Sequence, residues 1–386
     1  MVTLTEPAIV GVYESEVGDA HGLSAIEMQS LAVRGALHDA GMAMSDCDAL
    51  YAQAPYSRPH SMFGLSLAEY LGLQCRVAST PDTGGTVTPM TMLLNAIWGI
   101  QSGLHGTAVC VFGEAARTGR PHAGKGWTLG SESLAEEFQQ PFGLVGFIGP
   151  YAMLAQRYLY EYHKDREGFC AVAMSARRHA ALKPNATMHG RPMTRDDYFE
   201  ARMICDPLGL LDCSVISDGA GALVVTAADR AKDTPHRPVS VLGTGMKTTH
   251  RAFSVPNFDE LGMASAAADA YGAAGITSAD MDLLFVHDAF TIATLLTIEG
   301  VGLCGPGEGG DYAVAGHLDF GGPCPVNING GFLSQGHTSG IHHFTEAVSQ
   351  LRHDCGPRQV DGAEIAAVAG AGGLLGECGV MILGGN

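Results

Sequence analysis

The apolar residues of the chain fall into short continuous runs that glycine and polar residues separate. The run MDLLFV ends at Val286 and leads into the helical pattern TIATLLTIE, and the run TAVCVFG over 107–113 follows the apolar stretch 90–101. Short apolar runs without alternation are typical of strands that are covered on both faces. We therefore predict an α/β protein in which the 90–101 helix, apolar on every side, lies inside the fold.

A long uncharged stretch raises the alternative of a membrane span. Between Thr83 and Gly113 there is no Asp, Glu, Lys or Arg, and about 20 apolar residues suffice to cross a bilayer. Pro89, Asn95 and Gly103 interrupt the stretch, however. We predict a buried helix, a turn and a strand here.

An internal repeat organises the chain. The segment ALHDAGMAMSDCDALYAQA from Ala36 is similar to AYGAAGITSADMDLLFVHDA from Ala270. Each copy has the end of a helix, a glycine stop, a cap and an apolar strand. The repeat predicts two similar α/β halves over 1–230 and 237–386, and a less periodic insert over about 114–202 could form a lid over a substrate.

Charge and cysteine content limit the class of protein. Forty acidic residues against 22 basic ones give a net charge of −18, which disfavours nucleic acid and anionic membranes as partners. The ten cysteines form no CxxC pair and show no zinc spacing, so we expect reduced thiols and no metal site. The amino-terminal residues lack the pattern of a signal peptide, and we predict a cytoplasmic protein.

Two histidines occupy positions that favour chemistry. His287 follows the strand MDLLFV, and the ends of strands in such folds face the ligand crevice. His337 stands after a glycine pair and just before a helix. Because histidine is the most common proton-transfer group near neutral pH, both are candidate catalytic residues, although a single histidine is more often structural.

Several long motifs make the resemblance to a family specific. They are AIVGVYE near the amino terminus, DPLGLLDCSVISDGAGALVV, HDAFTIATLLTIEGVGLCGPGEGG and PVNINGGFLSQGH. Together they resemble the sterol-carrier-protein type of thiolase and its lipid-transfer-protein relatives over nearly the whole chain. The resemblance implies the thiolase fold, with two βαβαβαββ halves in five αβαβα layers, a homodimer, and acyl-CoA thioesters as substrates.

The resemblance assigns site residues one by one. His287 matches the histidine of the family's His-Asp-Cys-Phe site, and His337 matches its Gly-His motif. Thr86 stands where a thiolase has its nucleophilic cysteine, and Cys378 lies beyond the carboxyl-terminal glycine turn, so we do not regard it as a replacement. Asp82, next to this position, is either a carboxylate base or a turn-forming residue.

Coenzyme A is expected as part of the substrate, with no permanently bound cofactor. We assign Gly336, Gly372 and Gly373 to its binding. Arg120 and Lys125 are candidates for its phosphates, although an ordinary solvated loop is the more common role of such residues. The GxGxxG pattern at 300–305 follows a helix instead of a strand, which is the wrong order for dinucleotide binding.

The loss of the nucleophilic cysteine favours a lyase. Cysteine-lacking relatives include steroid side-chain retro-aldolases, which split a β-hydroxyacyl-CoA and work with a small OB-fold partner. Those aldolases carry tyrosines where this chain has His287 and His337. Two alternatives stay open: a thiolase-type acyltransferase of the acetyl-CoA acetyltransferase kind that uses Thr86 or another nucleophile, and a non-catalytic subunit that binds acyl-CoA or lipid.

Overall fold

The computed structural model describes residues 6–119, 137–144, 146–249, 257–258 and 261–385. The strands of the described chain are β1 Pro7–Glu14, β2 Ala49–Ala52, β3 Val77–Ser79, β4 Thr107–Ala115, β5 Met203–Cys205, β6 Leu208–Gly209, β7 Asp218–Ala227, β8 Val239–Thr248, β9 Leu283–Val286, β10 Ile365–Gly372 and β11 Glu377–Gly385. Its α-helices are α1 Ala25–Asp39, α2 Phe63–Leu71, α3 Val87–Gln101, α4 Ile148–Glu161, α5 Glu167–Leu182, α6 Arg195–Glu200, α7 Ala228–Ala231, α8 Met263–Ala274, α9 Thr291–Gly300, α10 Gly309–Val314 and α11 Ile341–Leu351.

Nine strands form one hydrogen-bonded sheet in the order β3-β2-β4-β7-β1-β8-β11-β10-β9. The strands of the first half, β1 to β4 and β7, lie on one side of the β1–β8 junction, and β8 to β11 lie on the other. This junction consists of two residue pairs, Ala8–Ser240 and Ile9–Val239. By contrast, β10 and β11 form a full antiparallel hairpin between Ile365 and Gly384. The two halves are therefore joined through the sheet at a short contact only.

Three apolar clusters define the layers. The α1 and α2 helices cover the outer face of the first half-sheet, where they meet Val224 of β7. The neighbouring residues Leu223 and Val225 point to the opposite face, as successive residues of a strand do, and contact the inner cluster that contains α3 and α11. The other side of this inner layer is the second half-sheet, and α4, α5, α8 and α9 cover its outer face. The predicted order of five αβαβα layers is confirmed.

The α3 helix differs from the prediction in one respect. Met90, Leu93 and Ala96 are fully buried between the half-sheets, but the Trp98 side chain is 59% exposed. The carboxyl-terminal part of α3 therefore reaches the surface, and only its amino-terminal part is covered on all sides.

The described part of the insert over about 114–202 contains regular helices, although its sequence shows little periodicity. Two long helices, α4 and α5, lie there, and Tyr151, Leu154 and Phe169 bury their side chains against the second half. This packing supplies the reason why the segment is ordered into helices. None of the described helices is both long enough and apolar enough to cross a bilayer.

The inner helices α3 and α11 begin side by side. Gly340 precedes α11 with a φ of 84°, and a Cβ atom added to it would lie 2.4 Å from Cγ2 of Thr86. Gly85 precedes Thr86 with a φ of 48°, and a Cβ atom there would lie 2.1 Å from the carbonyl oxygen of Ala371. Both glycines are needed because the backbone conformation and the close approach exclude a side chain. The two helix starts and the end of β10 thus converge on one point.

Candidate active site

Thr86 of the first half and His287 of the second half meet at this point. The Thr86 Oγ1 atom lies 2.9 Å from Nδ1 of His287, and both side chains are buried. The backbone holds each residue in place, since the Thr86 N–H donates to Ala371 O at 3.2 Å and the His287 N–H donates to Ala369 O at 3.0 Å. The carboxyl end of β10 therefore fixes the position of both groups.

The Phe332 ring connects His287 with two further histidines. The ring of His337 lies 4.4 Å from the Phe332 ring, centroid to centroid, and the ring of His287 lies 5.3 Å away at a perpendicular angle of 89°. His343 stacks on the same ring at 4.8 Å. The two histidines predicted from the sequence thus pack against a shared aromatic side chain.

Asp288 holds the segment that carries Phe332. Its carboxylate accepts the backbone N–H groups of Phe332 at 2.8 Å and Leu333 at 3.3 Å. These donors lie in a single π-helical turn, Gly331–Gln335, a conformation that often occurs at functional sites. The Nε2 atom of His343 lies 3.7 Å from the same carboxylate.

Burial determines the protonation of these groups. It lowers the pKa of His287 to about 3, that of His337 to about 4 and that of His343 to about 3, because a charged imidazolium is poorly solvated inside the protein. Burial also raises the pKa of Asp288 to about 7. At neutral pH the site therefore presents neutral imidazoles, each able to accept one hydrogen bond and donate another.

The other predicted site residues lie at different distances from this centre. Asp82 is exposed, and its Oδ1 accepts the Gly84 N–H at 3.1 Å, as a turn-forming aspartate does. The glycine turn after β10 lies against the same loop, since a Cβ atom on Gly84 would be 3.5 Å from both Gly372 Cα and Gly373 N.

Gly336 directly precedes His337 and packs closely against Val17 and Ser217. Arg120 and Lys125 lie outside the described residues. Cys378 is buried on the outer face of the second half-sheet, where its thiol contacts the Leu375 carbonyl. That position agrees with the expectation that Cys378 does not replace the missing nucleophile.

Tyr56 is a neighbour of the site that the sequence reasoning missed. Its hydroxyl accepts the Gln53 amide at 2.5 Å and lies 3.5 Å from Ser339 Oγ, which in turn donates to the Gly85 carbonyl at 3.0 Å. Burial raises the pKa of Tyr56 to about 12. No local sequence pattern indicates this residue, because Tyr56 lies in the connection after β2 and meets Ser339 only through the tertiary fold.

Comparisons with known proteins agree with this architecture. The family model described as "Thiolase C-terminal domain-like" matches residues 244–385. The chain is 31% identical over 379 residues to a steroid side-chain-cleaving aldolase from Thermomonospora curvata. This alignment covers 95% of each protein. It is 32% identical over 393 residues to an acetyl-CoA acetyltransferase from Methanothermobacter thermautotrophicus, which covers 98% of this chain and 99% of the relative.

Among solved structures, the Ltp2-ChsH2(DUF35) aldolase superposes with a TM-score of 0.88 at 29% identity, over 100% of this chain and 99% of the other. The fold and the site define an enzyme of the thiolase type. The chain belongs to the thiolase superfamily, in the branch that contains the sterol-carrier-protein-type thiolases and the steroid side-chain-cleaving aldolases.

Proposed function

We propose that this protein is a lyase that cleaves a β-hydroxyacyl-CoA by a retro-aldol reaction. The observation that carries the proposal is the Thr86 hydroxyl at the start of α3, 2.9 Å from His287, at the position where the resemblance expects a nucleophilic cysteine. Acyl transfer by a thiolase depends on a thiolate, which a threonine hydroxyl does not supply at neutral pH. The remaining groups suit a reaction that needs a base and an oxyanion site.

His337 is the proposed base. Its imidazole is neutral at pH 7 because burial lowers its pKa to about 4. It takes the proton of the substrate's β-hydroxyl while the β-carbon becomes a carbonyl and the Cα–Cβ bond breaks. The electron pair of that bond moves to Cα and the thioester oxygen as an enolate, and protonation of Cα then releases the shortened acyl-CoA. Since a weakly basic imidazole does not generate a free alkoxide, proton transfer and bond cleavage are concerted.

His287 is the proposed donor to the enolate oxygen. When the Thr86 hydroxyl donates to Nδ1, the ring proton resides on Nε2, which then points a neutral N–H donor at the substrate. A neutral imidazole with a strongly lowered pKa suits this electrophilic role, because it stabilises the developing negative charge without giving up its proton. In this mechanism Thr86 is a positioning residue that acts through His287.

The proposed substrate carries a steroid or similar group on its β-carbon. Similarity over 90% of this chain to a 17-hydroxy-3-oxo-4-pregnene-20-carboxyl-CoA lyase from Mycobacterium tuberculosis supports this class. The likeness to the Ltp2-ChsH2(DUF35) aldolase supports a partner of the DUF35 type, for which the OB-fold protein implied by the resemblance is a candidate. We further propose that the chain forms a homodimer, as the family resemblance implies.

The direct test is cleavage of the Cα–Cβ bond of a β-hydroxyacyl-CoA by the full-length protein, alone and with a DUF35-type partner. The probe is 17-hydroxy-3-oxo-4-pregnene-20-carboxyl-CoA, whose retro-aldol products are the 17-ketosteroid and propanoyl-CoA. The matched variants are His337→Gln and His342→Gln, since His342 is buried nearby with its Nε2 on the Ala220 carbonyl. Loss of cleavage in the first variant only would support the proposed base, and full activity in His337→Gln would contradict it.

Acyl transfer through Thr86 is the second candidate. The contact between Thr86 and His287 also has the geometry of a nucleophile and its base, and an acetyl-CoA acetyltransferase is among the similar proteins. Mass spectrometry of the protein after incubation with acetyl-CoA distinguishes the two functions. A threonine ester on the peptide that contains Thr86 would favour transfer, whereas the lyase forms no covalent intermediate.

A further inference from the structure

Two cysteines far along the chain from the histidine site lie side by side. Cys47 and Cys75 each stand two residues before the first paired residues of the parallel strands β2 and β3, Ala49 and Val77. The pairing continues toward them, because the Arg76 N–H donates to Asp48 O at 2.7 Å. Residues in register on neighbouring strands are about 5 Å apart, and this separation lies within the Cα–Cα range of disulfides.

The surroundings of the two thiols are unequal. Cys47 is buried, with 2% of its surface exposed, whereas Cys75 is only half-buried. The neighbouring Cys47 thiol lowers the pKa of Cys75, whereas the contact with Cys75 and burial raise the pKa of Cys47, whose Sγ also donates to the Ala49 carbonyl at 3.2 Å. For Cys213, by contrast, burial raises the thiol pKa. Cys75 therefore combines access to solvent with a lowered thiol pKa, and both properties favour oxidation of a cysteine.

We propose that Cys47 and Cys75 are a redox-sensitive pair that a hydroperoxide converts into a reversible disulfide. The Cys75 thiolate attacks one oxygen of the peroxide, the O–O bond breaks, and protonation of the departing oxygen gives water and a sulfenic acid on Cys75. The Cys47 thiol then attacks that sulfur, and a second water leaves as the disulfide forms. Two thiols and one hydrogen peroxide thus give one disulfide and two waters. A thiol reductant reverses the change.

The disulfide would link the segments that precede β2 and β3 at the edge of the sheet. The β3 strand is the outermost strand next to β2 and pairs with it at three positions only. A covalent bond at its start restricts local opening of this edge. The segment that follows β3 leads to Thr86, but the proposal does not depend on the reaction at that site.

A tryptic digest detects the Cys47–Cys75 disulfide directly. Trypsin does not cleave the Arg58–Pro59 bond efficiently, so Cys47 and Cys75 occur together in the peptide 35–76, which contains no other cysteine. The reduced full-length protein is treated with hydrogen peroxide, alkylated and digested. The expected product is this peptide without either alkyl group and lighter by two hydrogens, and dithiothreitol should restore both alkylation sites.

Variants separate the roles of the two thiols. In Cys47→Ser, Cys75 should accumulate as a sulfenic acid that dimedone traps, and in Cys75→Ser the buried Cys47 should stay reduced. Cys205→Ser removes another half-buried thiol and serves as the control in which disulfide formation is unchanged. At pH 7 Cys75 should be alkylated at least about tenfold faster than Cys213, since one pKa unit changes the thiolate fraction about tenfold.

Two outcomes would overturn the proposal. One is oxidation of another cysteine while the peptide 35–76 stays fully reduced. The other is oxidation of Cys75 in the unmodified protein to sulfinic or sulfonic acid without any disulfide to Cys47. Both are visible in the same digest and need no variant to fold.

Discussion

A Cβ atom on Gly340 would lie 2.4 Å from the Cγ2 atom of Thr86. The residue that precedes the inner helix of one half, Gly340, therefore packs directly against Thr86, the residue that precedes the inner helix of the other half. This contact is a requirement for the site, because it allows the two helix starts to lie side by side and keeps the Thr86 hydroxyl directed at His287.

Gly340→Ala should consequently destabilise the protein more than backbone strain alone explains. Gly316 has a similar φ, 81° against 84°, but open space around it, so Gly316→Ala measures the strain without the clash. We expect Gly316→Ala to cost about 1 kcal/mol and Gly340→Ala to cost about 2 to 4 kcal/mol, since steric overlap adds to the strain. Urea unfolding of both variants tests this, and equal losses would refute the importance of the contact.

Removal of the Thr86 hydroxyl should lower the turnover number. Thr86→Val keeps the shape of the side chain but loses the hydrogen bond to His287, so the imidazole is no longer held in one tautomer and orientation. We expect kcat to fall about tenfold to a hundredfold with little change in KM, as for loss of a group that orients a catalytic residue. Thr86→Ser, which retains the hydroxyl, should keep most of the activity. An equal loss in both variants would point to packing as the cause.

Introduction of a thiol at the same position should permit acyl transfer of the thiolase type. In Thr86→Cys the sulfur would stand at the start of α3 next to His287. We expect this variant to become acylated by acetyl-CoA, because the thiol is a far better nucleophile than the hydroxyl. Intact-protein mass spectrometry detects the acetyl group. The unchanged protein is the control, and acetylation of both to the same extent would show that Thr86 is itself a nucleophile.

The pH dependence of cleavage should show no histidine titration near 6.5. Burial lowers the pKa of His337 to about 4 and that of His287 to about 3, so both imidazoles are neutral above these values. In Asp288→Asn, which removes the carboxyl group whose pKa is raised to about 7, we expect kcat/KM to be level between about pH 5 and 8 and to decline only as the pH approaches 4. A pH–rate profile of this variant with an inflection near 6.5 would contradict this.

Asp288 should make stability depend on pH in the opposite sense to the histidines. Its folded-state pKa is raised to about 7 from an ordinary value of 3.8, so the folded state binds the proton more tightly and loses stability as the pH rises from about 4 to 7. His343, with a pKa lowered from 6.5 to about 3, loses its contribution as the pH falls through that interval. Asp288→Asn removes the pH dependence that comes from Asp288 and leaves the one that comes from His343.

The measurement is the free energy of unfolding of Asp288→Asn relative to the unchanged protein at pH 5 and pH 8. The variant starts from a lower value because it loses one acceptor for the Phe332 and Leu333 N–H groups. As the pH rises, the free energy of unfolding of the unchanged protein should nevertheless fall relative to that of the variant. A difference that is independent of pH would show that Asp288 is not protonated in the folded protein near neutrality.

The sequence was sufficient for the parts of the site that depend on local pattern. His287 could be placed because it follows an apolar strand, and Thr86 could be placed because it precedes a buried helix within a recognisable motif. The repeat predicted two similar α/β halves, and the resemblance to the thiolases implied their arrangement in five layers.

Other features of the site and the fold could not be predicted, because they depend on contacts between segments that are distant in the sequence. The position of Phe332 among three histidines results from the hydrogen bonds of Asp288 to a π-helical turn, and no sequence period indicates such a turn. The α4 helix was missed because its buried residues Tyr151, Leu154 and Tyr158 alternate with exposed apolar ones such as Met153 and Tyr160, which obscures the stripe.

The sheet joins the two halves only at the short β1–β8 junction, and the rest of their contact lies in the packing of the inner helices and of α4 and α5. Thr86 comes from the first half, and His287 and His337 come from the second. Neither half therefore contains the complete set of reactive groups. A gene divided in the connection between β7 and β8 would yield two inert polypeptides, and catalysis would return only when they reassociate across the inner helices. The duplicated chain thus resembles two covalently linked subunits, and the reactive groups lie at the contact between them.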